Sequence, residues 1–229
     1  MTTTAMCTRR FASVLLAGSF ALVACGQGEE RKAGVAVEEQ CSGVFAAAAP
    51  ALKRALGTEE FADLPTEGWL DTDIERMVSE YERGVSSTSR YIDCGLATAD
   101  EPRRHLGVVF GMYGEQSLGS HAADPSMYPY DMGVEAEVGY RRAYLYVECT
   151  SPQLKGSDKR PARFVGSLGA EESTTPDTAA TREDNLVILH SAMLAFVRKL
   201  GCVNDAGLPA TPVIKPKKPS RVWPQGPVR

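Results

Sequence analysis

The chain is poor in the residues and spacings that most catalytic sites require. Histidine is scarce, with three in 229 residues, and His105, His121 and His190 have no spacing that would bring two onto one metal ion. No CxxC pair occurs, which removes support for zinc ribbons and thioredoxin-type redox chemistry. There is no GxSxG elbow, phosphate-binding P-loop, HExxH helix or helix-opening GxGxxG, so the common hydrolase, nucleotide and metalloprotease templates fail. Net charge is −4, and a mildly acidic chain lacks the basic face that nucleic-acid phosphates demand. No nucleic-acid partner, cofactor or metal is expected, and no catalytic residue is assigned.

A long membrane-spanning run is also missing. Phe11 to Ala24 carries no charge over 14 residues, which as a helix covers ~21 Å against the ~30 Å hydrocarbon core. Behind Arg9 and Arg10 it reads as the apolar region of a signal peptide. The run closes on Leu22-Val23-Ala24-Cys25-Gly26. This resembles the lipobox of bacterial lipoproteins, with Leu at −3, a small residue at −1 and Cys at +1. The resemblance implies a diacylglyceryl group on the Cys25 thiol, cleavage after Ala24 and a new amine open to acylation, as with palmitate. Two or more acyl chains anchor stably, at ~0.8 kcal/mol per buried CH₂. Residues 1–24 are then a signal peptide, and Cys25 ties the chain to the extracytoplasmic face of the cell membrane. Loss of Arg9 and Arg10 takes the charge from −4 to −6.

Of six cysteines, Cys7 lies upstream of the cut and Cys25 is the anchor. Cys41, Cys94, Cys149 and Cys202 remain. An even set in an exported chain reads as two disulfides, with three possible connectivities. Joining Cys41 to Cys94 and Cys149 to Cys202 ties each helical end to the sheet and is preferred; a nested pairing is the alternative.

Residues 25–40 are polar and read as a tether. Residues 41–207 carry the periodicities of one α+β domain. Val44, Phe45, Ala48, Leu52 and Leu56 recur at helical spacing, interrupted at Pro50 and stopped by Gly57. A second helix is expected behind a capping box at Thr72 and Glu75, and a third, long one behind a Thr181 cap, closed by Gly201. Between them the period changes to two. Leu106, Val108, Phe110 and Met112 share one face, and Gly107, Val109 and Gly111 leave the other nearly bare. Ala143, Leu145, Val147 and Cys149 alternate with Arg142, Tyr144, Tyr146 and Glu148. With strands around Cys94 and over Ala162 to Leu168, this predicts an antiparallel sheet of about four strands packed with two N-terminal helices and one long C-terminal helix. The segment from Gly114 to Gly139 reads as a long loop. Residues 208–229 are Pro-rich and basic, and are expected to be disordered.

The candidate binding face is Tyr140, Arg142, Tyr144 and Tyr146, since aromatic rings alternating with a guanidinium stack on sugars or anchor a protein partner. The competing reading is that these tyrosines shield the back of the sheet. Glu135 and Glu137 share a face at a separation that glycosidases use, but nothing in the sequence marks a cleft around them. Ser191 and His190, adjacent on a helix, point apart and form no dyad. A cysteine at the first helix, one in a strand and the terminal "VILHSAMLAFVRKLGCVNDAGLP" are similar to lipoproteins of high-GC actinobacteria with no assigned activity. That resemblance implies a compartment and a scaffold only. The expectation is a non-enzymatic envelope module that binds a protein or wall polymer; the alternative is an envelope hydrolase with a site assembled from sequence-distant residues.

Overall fold

The computed structural model describes residues 34–64, 68–87, 94–101, 103, 105–121, 124–171 and 175–218. The expected signal peptide, Cys25 and the last stretch of the tail lie outside the described residues, all of which fall in the unit Arg31–Arg229.

The described chain enters through three 3-10 turns, Val37–Glu39, Cys41–Gly43 and Ala46–Ala48, before α1, Ala49–Leu56. Pro50 sits in the first turn of α1, where its missing N–H costs nothing, and Gly57 ends the helix at φ +74°. Helix α2, Trp69–Glu82, starts ahead of the expected capping box. Thr72 is inside the helix, where its hydroxyl donates to the Gly68 carbonyl at 3.1 Å instead of capping an amide. The long helix α3, Ala179–Lys199, also starts early: Thr178 is its cap, accepting from the Thr181 amide at 3.2 Å. Thr181 donates to the Pro176 carbonyl at 2.8 Å. In both helices the threonine expected as the cap lies inside the first turn.

Among the described residues the sheet has six strands rather than about four: β1 Cys94–Ala97, β2 His105–Met112, β3 Tyr128–Tyr130, β4 Glu135–Val138, β5 Arg142–Cys149 and β6 Ala162–Glu171. Their order is β1-β2-β6-β5-β4-β3, with every neighbouring pair antiparallel. The two unforeseen strands lie in the segment expected as a long loop. β3 is a three-residue stretch centred on Pro129, and the alternation of β4 runs for only four residues, Ala136 and Val138 alternating with two glutamates, so neither gives a long apolar pattern. Their pairing depends on the reversal between them. Gly133 has φ +60°, and a Cβ there would lie 2.4 Å from the Tyr146 carbonyl oxygen. Gly133→Ala should therefore cost ~2 kcal/mol or more, read as a lower urea midpoint; an unchanged midpoint would show that the hairpin yields at that position.

Both sheet edges are covered by segments near the chain ends. Val35 bridges Phe61, Phe61 bridges Thr98, and the Ala62 amide donates to the Ala97 carbonyl at 2.9 Å. Val37 and Gln40 are buried, so the folded region begins before Cys41, inside the expected tether. At the opposite edge, the Asp131 amide donates to the Lys215 carbonyl and the Lys217 amide to the Pro129 carbonyl, both at 2.8 Å. Ile214 packs against the core. The first part of the expected disordered tail is thus strand-like. Pro216 lacks an amide proton, but Lys215 and Lys217 supply the acceptor and donor that an edge strand requires.

One face of the sheet carries the core. Leu106, Val108, Phe110, Leu145, Val147, Phe164 and Leu168 are buried against α3. Phe196 of α3 stacks on Phe110 with centroids 4.4 Å apart, and Trp69 of α2 stacks on the same ring at 5.9 Å. Gly166 seats α3 on the sheet, since a Cβ there would meet the Met193 methyl at 2.9 Å. Cys41 pairs with Cys94 and Cys149 with Cys202, with Cα–Cα distances of 5.9 and 5.2 Å, both inside the usual disulfide range. The preferred connectivity is the one present.

Candidate binding groove on the back of the sheet

Strand register decides what the other face presents. Residues opposite one another in a ladder share a face, and successive residues alternate. His105 therefore pairs with Glu171 in one rung. The next same-facing rung is Gly95, Gly107, Gly169 and Arg142. The one after that is Val109, Ser167, Tyr144 and Glu137. Gly111, Val165, Tyr146 and Glu135 follow. The sheet back is thus bare at one end and aromatic at the other.

The aromatic end is packed rather than exposed. Tyr113, Tyr144 and Tyr146 form a second apolar cluster beneath Leu118 and Met127, from the segment that follows β2. Tyr144 is 5% exposed and Tyr146 2%. His121 stacks on the Tyr144 ring, centroids 4.0 Å apart and 9° from parallel. Tyr113 meets Tyr146 edge-on at 5.0 Å. Burial pushes the Tyr113 and Tyr146 phenols up to about 12. The expectation of an open face over Tyr140, Arg142, Tyr144 and Tyr146 is corrected accordingly. Those two tyrosines shield the sheet, Tyr140 lies in the turn before β5, and Arg142 alone of the four is fully exposed.

Glu137 sits inside this cluster at 2% exposure, its Oε2 without a hydrogen-bond partner. Desolvation, with the nearby charge of Glu135 adding to it, pushes its carboxyl up to about 7, while the His121 backbone N–H partly offsets both. Glu135 is half-buried beside it.

The bare end forms a groove of about 530 Å³, within the ~300–1,000 Å³ typical of small-molecule sites. Its floor is Gly107, Val109, Ser167 and Gly169, and its rim includes His105, Arg141, Arg142, Tyr144 and Glu171. A Cβ at Gly169 or at neighbouring Gly95 would meet nothing within 4 Å, so the space over those two glycines is open, while Gly107 between them is buried. Ser167 is 7% exposed and lines the groove, yet its hydroxyl makes no hydrogen bond among the described residues. Arg141 and Arg142 form no ion pair among the described residues, unlike Arg54, Arg163, Arg182 and Arg198. The Arg141 guanidinium lies 5.4 Å over the Tyr140 ring, at the tip of the β4–β5 turn. On the far rim the Glu171 carboxylate is 3.7 Å from His105 Nε2.

The remaining sequence candidates lie elsewhere. His190 is buried in α3; burial lowers its basicity, one ring nitrogen bonds the Pro209 backbone and Nε2 is unpartnered. Ser191 donates to the Val44 carbonyl at 2.6 Å, so it packs α3 against the entry segment and forms no dyad. Among the described residues no three His, Cys, Asp or Glu side chains converge to hold a metal ion. No helix among them is long and apolar enough to cross a membrane. The groove residues Ser167, Gly169, Arg141, His105 and Glu171 carry no motif in sequence. The nearest signal was the Gly107–Gly111 alternation, which marks a face short of side chains.

Known proteins offer no assignment. The chain matches no family model, no curated protein and no solved structure.

Proposed function

We propose that the protein is an extracytoplasmic lipoprotein, anchored through Cys25, whose domain is a non-enzymatic binding module of the cell envelope working through the groove on the sheet back. The lipobox resemblance and the export-type cysteine pattern support the compartment. One observation carries the binding role: an open groove floored in part by glycines, where among the described residues the Ser167 hydroxyl at its base makes no hydrogen bond and two arginines at its rim form no ion pair. Unpaired guanidinium groups beside a concave polar surface offer strong, directional hydrogen bonds to a ligand.

A second reading, an envelope hydrolase, draws on Glu137, whose carboxyl at about 7 is tuned as a general acid would be. Glu137 is sealed within the tyrosine cluster and does not line the groove, so binding is the better-supported role.

The test separates anchor from groove. Cys25→Ser should move the full-length chain from the detergent phase to the aqueous phase. The same anchorless chain should still co-sediment with isolated envelopes of the host cell. Adding Gly169→Val, which enters open space and suits a strand, should abolish that co-sedimentation without lowering the unfolding midpoint. Equal sedimentation of the two chains would overturn the groove as the binding site.

A further inference from the structure

We infer that the groove takes an acidic sugar unit of a glycan, its carboxylate held by Arg141 and Arg142 and its ring lying flat over the glycines beside Ser167. This deepens the binding role proposed above and rests on it.

Dimensions favour a ring. Gly95, Gly107 and Gly169 lie on adjacent strands and lead to Arg142, a trough ~14 Å long at ~4.8 Å per strand. It is bounded along the strands by the His105–Glu171 rung on one side and the Val109–Ser167–Tyr144 rung on the other. Those rungs are four residues apart, ~13 Å at ~3.4 Å per residue. That is room for one or two pyranose rings, and it is too small for a protein interface, which buries ~800 Å² per partner. At Gly95 and Gly169, where a Cβ would meet nothing, the C–H face of a ring can approach the backbone directly, and Val109 offers a half-exposed apolar side chain beside it.

Chemistry favours a hydroxylated ligand with one negative charge. Ser167, His105 and Glu171 surround the floor as donors and acceptors suited to ring hydroxyls. Arg141 and Arg142 both line one side of the groove. The Asp124 carboxylate is near enough to feel the Arg142 charge but forms no ion pair with it among the described residues, and guanidinium binds carboxylate bidentately. A phosphate is a poorer fit. Phosphate sites use a nest of free backbone amides, whereas Gly107 and Gly169 lie in the middle of strands paired on both sides. Glu171 on the rim also repels a dianion more strongly than a monoanion.

Calorimetric titration of the full-length chain in detergent tests this, with galacturonate, its methyl ester and inorganic phosphate as probes. The acid should bind at least about tenfold more tightly than the uncharged ester. Arg142→Ala should weaken the acid by about tenfold and Arg142→Lys by less. Ser167→Ala should weaken both sugars in proportion. Gly169→Val should abolish binding, with an unchanged unfolding midpoint showing that the fold is intact. Equal binding of acid and ester, indifference to Arg142→Ala, or a preference for phosphate would each overturn the acidic-sugar assignment. If no sugar binds while envelope co-sedimentation still depends on position 169, the sugar class falls and the groove stands. If co-sedimentation ignores that position, both fall.

Discussion

Removing the Cys149–Cys202 disulfide, as Cys149→Ala with Cys202→Ala, should lower the unfolding free energy by up to ~4 kcal/mol. The bridge closes a loop with a sequence separation of 53, and loop-closure entropy lost from the unfolded chain gives ~4 kcal/mol at that length. For a domain of this size ~1 kcal/mol moves the thermal midpoint by ~2–4 °C, so a drop of ~8–16 °C is expected. The Cys41–Cys94 bridge has the same separation of 53 and the same expected ceiling. The two should differ in what they release. Cys149 and Cys202 join the end of β5 to the chain just past α3, so their loss loosens the helix that covers the core. Cys41 and Cys94 hold the entry turns to the edge strand β1, so their loss should expose the amides of Val35, Phe61 and Ala62 to exchange first. A shift under ~3 °C for either pair would mean that the unfolded chain is already constrained without the bridge.

Replacing Glu137 by Gln should remove a large pH dependence of stability. In the unfolded chain the carboxyl titrates near its ordinary value of 4.5, and in the fold burial pushes it up to about 7. Below 4.5 both states hold the proton and pH has no leverage. Between 4.5 and about 7 the unfolded chain releases its proton while the folded carboxyl keeps it, so each pH unit favours unfolding by ~1.4 kcal/mol. Above about 7 both states are ionised and the accumulated penalty persists. The ceiling is ~3 kcal/mol, and water entering beside the ionised group lowers the expected figure to ~2 kcal/mol. Glu137→Gln should accordingly raise the urea midpoint at pH 8 and leave it nearly unchanged at pH 4. His190 acts in the opposite sense: its lowered basicity weakens the fold as pH falls, and comparing the two chains at each pH cancels that contribution. Equal gains at both pH values would show that packing, not ionisation, is what the substitution changes.

The elements legible in sequence are those with long, one-sided patterns. β2 and β5 alternate over eight residues each, and α3 carries a long apolar stripe closed by Gly201, although its cap is Thr178 and not the expected Thr181. The cysteine pairing was also accessible, because helix-to-sheet ties follow from the order of elements. What escaped has specific causes. β3 and β4 are short and polar, and they pair only because Gly133 permits the turn between them. The tail strand at Lys215–Lys217 hides behind a proline. The alternation of Tyr144 and Tyr146 with inward-facing residues placed both on the sheet back correctly, yet said nothing of the segment that covers them. That cover comes from Leu118, His121 and Met127, none of which carries a periodic signal. The groove escaped for a related reason. Gly107, Gly169 and Arg142 are far apart in sequence, and only register brings them into one rung.

The most direct test of the account is photo-crosslinking in the native envelope. The full-length lipidated chain would carry a photoreactive residue in place of Val109 at the groove floor, with a control in place of Glu82, exposed on α2. The account predicts a discrete adduct at position 109 that is absent from the control and is lost on Gly169→Val. No adduct at 109, or the same adduct from both positions, would contradict the sheet-back groove as the place where this protein binds.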